Sequence, residues 1–417
     1  MLGVYRILIN LIFVLSPLII LVRLIKKKED LRRFKEKFCF FSKKRGNGNL
    51  IWFHGASVGE IKSIIPILEK LEKNSKVNKI LITSNTLSSS KIVQKFKFKK
   101  VIHQFFPIDT NYLSKKFLNY WKPSLVFFID SEIWPNMFIN LDNQKIPINL
   151  LNGRITKKSF SKWKYFSNFS KKLFGKFNLC LSASNESKQL LKSLGVKKVK
   201  FIGNLKFSES EIDQYEINRN LKKFLSSRKV WCASSTHYPE EIFCSKVHAE
   251  LKKRYQNLLT IIIPRHINRV NSIKSEICEE KLNVHLHQPQ SKIKRNTDIY
   301  IVNSYGNTKL FYNYCQNVFL GGSIIAHGGQ NPLEAARIGC NILHGPNISN
   351  FREIYNFLKQ NKISSMINNQ NQMVKVLINL FKRNKNQKKI QKKIKFIGKN
   401  ILKKTYNEIN FLIKNEH

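Results

Sequence analysis

Apolar positions fall along this chain in two distinct ways. Near the start they form one run at 7–22 (ILINLIFVLSPLIILV), broken only by Asn10 and Ser16 and flanked by Arg6 and by Arg23, Lys26, Lys27 and Lys28. At about 1.5 Å per residue the uncharged run is short for a bilayer core of about 30 Å, but the flanking arginines can snorkel and complete a span. A cleaved signal peptide fits poorly, because the leading charge is weak, no small-x-small site follows and the strong positive cluster comes afterwards. Residues 1–25 are therefore read as a membrane anchor, with the bulk of the chain on the positively flanked, cytoplasmic side. An anchor lying in the interface is the alternative. Residues 29–48 then form a basic, amphipathic connector suited to anionic headgroups.

From Asn49 the pattern changes to short apolar runs alternating with helical periodicity. The runs at 50–56, 79–84, 101–107, 125–130, 147–152, 179–184 and 199–203 read as buried strands. Ile61, Ile64, Ile65, Leu68 and Leu71 illustrate the helical spacing between them. The stretch 207–226 is polar and lacks a strand, which makes it a linker. A second series follows at 229–235, 259–263, 283–287, 298–303, 317–322 and 341–343. Alternating strands and helices predict parallel βαβ units, so the fold class is α/β with two Rossmann-like, doubly wound domains at 26–206 and 227–381. A Lys/Asn-rich helical tail occupies 382–417. In such a fold ligands are expected in a cleft at the carboxyl ends of the strands.

Composition changes this picture in two respects. The formal charge of +48 suggests a polyanionic partner, yet lysines are spread over all 417 residues. That spread argues against nucleic acid and favours an anionic lipid surface beside the anchor. Seven scattered cysteines with no C-x-x-C fit free thiols in a reducing compartment. No metal site is expected, since His285-x-His287 is the one close histidine pair and has no third ligand nearby in sequence.

Candidate chemistry collects where strands end. HGASVGE (54–60) closes the first strand, turns tightly and places Glu60 in the first helical turn. A carboxylate there is stabilised by the helix dipole, and it can serve either that purpose alone or as a proton acceptor. Asp130 and Glu132 follow the fourth strand, while Arg154 and Lys206 stand just past later ones as cations suited to carboxylate or phosphate groups. In the second half Thr236 or His237 can cap a helix or meet a ligand, and Arg265 and His266 end a strand. The stretch 318–346 (VFLGGSIIAHGGQNPLEAARIGCNILHGP) reads as strand, glycine loop and helix, with Asn331 as cap, Pro332 at the first position and Glu334 completing a capping box. Its free N–H groups make either an ordinary βα turn or a seat for an anion.

Taken in order, HGASVGE (54–60), DSEIWPN (130–136), NGR (152–154), GNLKF (203–207), ASSTH (233–237), PRH (264–266), GGS with HGGQNPLEAA (321–336) and GPNISNF (345–351) resemble the 3-deoxy-D-manno-octulosonic acid (Kdo) transferases. The resemblance implies a GT-B glycosyltransferase, anchored at the inner membrane, that moves Kdo from CMP-Kdo to a lipid A precursor (lipid IVA) with inversion and without a metal or other cofactor. It implies that Glu60 is the general base and that Glu132 and Lys206 together steady the transition state. It also implies that Pro264, Arg265, Asn331, Pro332, Leu333 and Glu334 contact CMP. Tyr305, Gly306 and Asn307 fall on the nucleotide side too, in a stretch (303–307) where the family carries an Asp-Thr-x-Gly-Glu-like segment. Here two of those acids are amides. Gln330 stands where His is usual, and Ser208 where Asp is common.

Two other readings compete with this one. One is a GT-B transferase with a different nucleotide sugar, such as the UDP-GlcNAc enzymes. The other is a basic membrane- or nucleic-acid-binding protein whose glycine loops are merely structural.

Overall fold

The computed structural model describes residues 1–209, 218–287, 293–304, 306, 308–383 and 387–415. Backbone contacts divide the chain into two units, one of Met1–Ser210 with Ile397–His417 and one of Glu211–Phe396. The tail that begins at 382 in the sequence reading is therefore no separate piece. Its helix Gln387–Asn415 starts in the second unit and is counted with the first from Ile397 onward.

The first unit is built on β1 (Leu50–His54), β2 (Lys79–Ser84), β3 (Val101–Phe105), β4 (Leu125–Ile129), β5 (Ile148–Gly153), β6 (Phe177–Ser182) and β7 (Val199–Phe201). They pair in parallel in the order β3-β2-β1-β4-β5-β6-β7. Every residue of β1 and β4 is buried, as expected of central strands covered by helices on both faces. Trp52 anchors the packing, with its ring 4.9 Å from Phe117 and 5.6 Å from Phe128. Chain direction from β1 runs outward to β3, then returns to β4. That reversal opens a crevice at the carboxyl ends of β1 and β4, and the sheet thus puts the loops after His54 and Ile129 side by side.

The second unit repeats the plan with β8 (Lys229–Thr236), β9 (Leu258–Pro264), β10 (Val284–Leu286), β11 (Ile299–Ile301), β12 (Asn317–Leu320), β13 (Asn341–His344) and β14 (Ser364–Met366). Their order is β10-β11-β9-β8-β12-β13-β14, again all parallel, with the reversal between β8 and β12. Strand β14 is absent from the pattern-based reading because its three residues are two serines and a methionine. It forms by pairing with β13 at the edge. Other strands end early for local reasons. Pro107 cannot extend β3, and Gly203 at φ +110° turns the chain after β7.

The apolar N-terminal segment is one helix, Leu2–Ile25. It is fastened to the first unit along its length. Tyr5 Oη donates to Asp109 Oδ2 (2.7 Å) and Arg6 Nε to Asn136 Oδ1 (2.9 Å) near one end. Phe13 meets Phe38 edge-on in the middle, Ser16 and Ile20 are buried, and Arg23 pairs with the buried Glu29 (2.6 Å) at the other end. The opposite side, including Val4, Ile7, Leu11, Val14, Leu18 and Leu21, is exposed and apolar. Part of the connector packs on protein, while Arg32, Lys35, Lys43 and Lys44 stay exposed. Buried Glu36 accepts from Arg33 (2.8 and 3.0 Å) and from the Phe105 N–H (2.8 Å), and Arg33 Nη2 donates to the His103 carbonyl (2.7 Å). A carboxylate that satisfies the free edge of β3 outweighs what the basic residues gain in water.

One buried carboxylate organises the crevice of the second unit. Glu240, fully buried in the first turn of the helix Glu240–Lys252, accepts from the N–H groups of His237 (3.0 Å), Gly322 (2.6 Å), Ser323 (3.0 Å) and Ile324 (3.0 Å). It ties the loop after β8 to the loop after β12. Glu240→Ala leaves four donors without that acceptor and should destabilise the second unit by on the order of 4 kcal/mol. Chemical denaturation followed by circular dichroism checks this, with Glu240→Gln expected to fall between the two.

Candidate active site

The residues after β1 and β4 gather as the sheet order requires. Ser57 caps the helix Val58–Glu72, and Glu60 completes a reciprocal capping box. Glu60 Oε2 accepts from the Ala56 N–H (2.7 Å) and more weakly from the Ser57 N–H (3.4 Å), while Oε1 accepts from the Ser57 hydroxyl (2.7 Å). The dipole argument expects this carboxylate to stay readily ionised. Burial wins instead and, with the negative charges of Glu132 and Asp130 beside it, pushes the Glu60 pKa up to about 7 against the hydrogen bonds from Ser57 and Ala56. A carboxyl poised near neutrality is suited to accept a proton.

Lys206 comes from the short turn Leu205–Ser208, capped by Asn204, whose Oδ1 accepts from the Lys206 N–H (3.0 Å). Asn152 at the end of β5 holds the same turn, its Oδ1 accepting from the Leu205 N–H (2.8 Å). The Lys206 side chain crosses close to Gly59, where a Cβ would lie 3.9 Å from Lys206 Cε. Its ammonium donates to Asp130 Oδ2 (3.0 Å). The ion pair of Lys206 is with Asp130, because the chain turns left-handed at Asp130 (φ +65°) and carries its carboxylate under the lysine. Asn152 is left-handed as well (φ +53°). Backbone of this kind is unfavourable for non-glycine residues and collects at functional sites. Asp130 Oδ1 and Asn152 Nδ2 are buried with no hydrogen-bond partner in the structure. Arg154 joins them through its N–H, which donates to the Asp130 carbonyl (3.0 Å).

Glu132 belongs to a different network. The Trp134 indole N–H is shared between Glu132 Oε2 (3.0 Å) and His54 Nε2 (3.1 Å), and His54 Nε2 lies 3.4 Å from Glu132. His54 is fully buried. Its Nδ1 meets the Thr83 hydroxyl (2.8 Å), which also accepts from Trp52 Nε1 (2.9 Å). Burial depresses the His54 pKa, so the imidazole is neutral; its Nε2, accepting from the shared indole N–H, fixes Trp134, which in turn holds Glu132. The sequence reading treats His54 only as a strand end; a polar residue closing a wholly apolar strand was the available signal.

In the second unit, Pro264 ends β9 and the Arg265 N–H donates to the Thr236 carbonyl (3.0 Å), which seats the exposed Arg265 beside the end of β8. His237 packs 4.4 Å from His327 and 5.5 Å from His266, between ring centroids. Burial, aided by its neighbours His327, His266, Arg265 and Arg269, lowers the His237 pKa to about 4. This rim is cation-rich and suited to an anion.

The glycine loop behaves differently from its sequence reading. The N–H groups of Gly322, Ser323 and Ile324 are taken by Glu240, so they hold an internal anion. Nor does Asn331 form a capping box. Its Oδ1 accepts from the Leu333 N–H (3.1 Å), Pro332 takes the N-cap place, and the helix Leu333–Ile338 is a short one. Pro332 and Leu333 are buried and Glu334 is half-buried in that first turn. The helix Thr308–Tyr312 packs on it, and Gly306, at φ +88°, precedes that helix. Tyr305 and Asn307 lie outside the described residues. Among the described residues no group of three or more His, Cys, Asp or Glu is placed to hold a metal ion.

Comparison with known proteins agrees with this arrangement. A family profile for 3-deoxy-D-manno-octulosonic-acid transferase (kdotransferase) matches residues 32–209. The 3-deoxy-D-manno-octulosonic acid transferase of Rickettsia bellii is 33% identical over 370 residues, 88% of each chain, and that of Haemophilus influenzae 27% identical over 84% of each. In fold the chain is similar to a UDP-GlcNAc 2-epimerase from Neisseria meningitidis (TM-score 0.57, 14% identity, 89% of this chain and all of the other). It is also similar to a glycosyltransferase from Rickettsia africae (TM-score 0.58, 14% identity, 89% and 99%). Two parallel seven-stranded sheets of this kind, with such neighbours, make the fold GT-B. With one-third identity along nearly its whole length, the chain belongs to the 3-deoxy-D-manno-octulosonic acid transferase family and is a glycosyltransferase.

Proposed function

We propose that this enzyme moves Kdo from CMP-Kdo to a hydroxyl of a lipid A precursor, with inversion and without a metal. The observation that carries the reading is Glu60, a carboxyl poised near neutrality beside the Lys206–Asp130 pair at the carboxyl ends of β1 and β4. In the proposed step Glu60 takes the proton from the acceptor hydroxyl as its oxygen attacks the anomeric carbon of Kdo. The bond from that carbon to the phosphate oxygen breaks, and CMP leaves with the electron pair. Lys206 and Glu132 steady the charges of the transition state, with Asp130 and His54 holding them in place. Arg265 and the imidazoles around His237 are assigned to the departing phosphate, and a fixed cation in that role supports a mechanism without a divalent cation. Pro264, Gly306, Asn331, Pro332, Leu333 and Glu334 are assigned to the nucleotide. The helix Leu2–Ile25, held to the first unit at both ends, is assigned to the cytoplasmic face of the inner membrane as an anchor lying in the interface, with its exposed apolar side toward lipid and both units on the cytoplasmic side.

The pH dependence follows from the sign of the shift. Only ionised Glu60 accepts a proton, so kcat/KM for the acceptor should climb about tenfold per pH unit below about 7 and level off above it. Glu60→Gln should remove at least about two orders of magnitude of transfer while leaving thermal stabilisation by CMP intact. Full activity in that variant would exclude the role of Glu60, and stabilisation by UDP in place of CMP would exclude the donor.

Asp130 and Glu132 both raise the Glu60 pKa through their charge. Glu132→Gln should therefore move the acid limb of the profile to lower pH as well as reduce kcat. Asp130→Asn should do the same and also free Lys206. An unshifted limb in both variants would show that Glu60 does not set it. Incubation with EDTA should leave turnover unchanged, as measured by product mass.

A further inference from the structure

The first unit holds a groove of about 880 Å3 at the N-terminal end of the apolar helix. Leu2, Ile139, Phe166 and Leu173 wall it, and Lys172 and Lys176 line it as well. We propose that this groove holds an acyl chain of the lipid acceptor, a proposal that rests on reading the chain as a transferase acting on a lipid A precursor.

The groove has the capacity and the lining for such a chain. Its volume lies near the upper end of the range for ligand sites, and its walls are mainly aliphatic and aromatic. It is also continuous with the surface that faces lipid. The helix Leu2–Ile25 is held to the unit near both ends, through Tyr5 and Arg6 and through Arg23, and its outward side from Val4 to Ile25 is exposed and apolar. Met1 and Leu2, the first residues of that segment, form part of the groove. A hydrocarbon chain can pass from bilayer to groove without exposing its length to water, which is the favourable course for apolar surface.

Charge and connectivity select the acceptor over bulk lipid. Lys172 and Lys176 line the groove, Lys176 in an ion pair with Asp142, and the adjoining helices Lys157–Tyr165 and Ser167–Phe174 carry six lysines and no acidic residue, so the surface around the groove suits a phosphorylated headgroup. The first of these helices has no buried residue and follows the Asn152-Gly153-Arg154 turn beside Asp130. Ile139 stands on the helix Pro135–Asn143, which begins three residues after Glu132. Four residues beyond Pro135 it lies about 6 Å along the helix axis. One helix thus links the candidate reaction centre to the groove wall, a placement that serves a substrate whose sugar reacts while its chain is held.

The test compares the full-length enzyme with Phe166→Asp and Ile139→Trp, the latter filling the groove without adding charge. Each is assayed with the acylated acceptor and with its deacylated sugar phosphate. The KM for the acylated acceptor should rise about tenfold, while kinetics on the deacylated one and stabilisation by CMP stay unchanged. Equal KM values for the acylated acceptor in all three proteins would overturn the proposal, as would a wild-type enzyme indifferent to acylation. Equal losses on both acceptors would overturn it too. Weaker binding to anionic phospholipid vesicles with an unchanged KM would assign the groove to bulk lipid instead. Transfer to neither acceptor by the wild-type enzyme would instead sink the transferase reading itself.

Discussion

In both units a glutamate in the first turn of the helix after the first strand folds its carboxylate back onto the loop it came from. The crevices depend on this interaction. Glu60 and Glu240 meet the same demand, that N–H groups at a strand-to-helix turn be satisfied, with the same chemistry. Their surroundings separate them. Glu240 is fully buried, and four N–H groups from two loops converge on it. Such a carboxylate is saturated and structural. Glu60 has its own turn alone, is only partly buried, and keeps a hydroxyl on one oxygen. Asp130 and Glu132 make its ionised form less favourable. One device yields a clamp in one unit and a candidate base in the other.

This divergence marks where reading from sequence succeeds and where it stops. Strands β1 to β13 are legible because parallel strands covered on both faces are continuous apolar runs, such as Leu125–Ile129 and Leu258–Pro264. Strand β14 is illegible because register with β13, not composition, makes Ser364–Met366 a strand. At the site, Glu60, Asp130, Glu132 and Lys206 can be found because each follows a strand, and strand order then brings the loops after β1 and β4 together, while the Lys206 turn beyond the edge strand β7 is held there by Asn152 and Asp130. Partners are another matter. Nothing in DSEIWPN says that Asp130 takes the lysine and Glu132 the indole; that follows from one left-handed residue. The capping pattern at Asn331 and Glu334 is only partly used: Asn331 accepts from the Leu333 N–H, while Pro332 takes the N-cap place and no reciprocal bond from Glu334 forms a box.

The N-terminal segment makes a similar point about composition. Its apolar run satisfies a length test for a membrane span, but length says nothing about whether the helix stands apart from the protein. Tyr5, Phe13, Ser16, Ile20 and Arg23 recur at helical spacing on one side and are all engaged by the first unit. The other side has no protein partner. A helix with one side on protein and the other apolar and exposed is amphipathic in a sense that hydropathy alone does not register. The surrounding positive charge divides likewise, with Arg33 and Lys37 paired internally while Lys26, Lys27 and Lys28 remain at the surface.

Charge is also segregated between the two crevices, and that segregation bears on the chemistry. The first gathers three carboxylates, Glu60, Asp130 and Glu132, around the single ammonium of Lys206. Burial and, after it, that excess of negative charge raise the affinity of Glu60 for a proton. The second gathers Arg265, Arg269 and three imidazoles, and burial, aided by those neighbours, strips the proton from His237. Taking a proton from a hydroxyl and receiving an anionic leaving group make opposite electrostatic demands, and a single pocket that served both would compromise each. Two copies of one fold, each with its own sign of charge at the strand ends, remove that conflict.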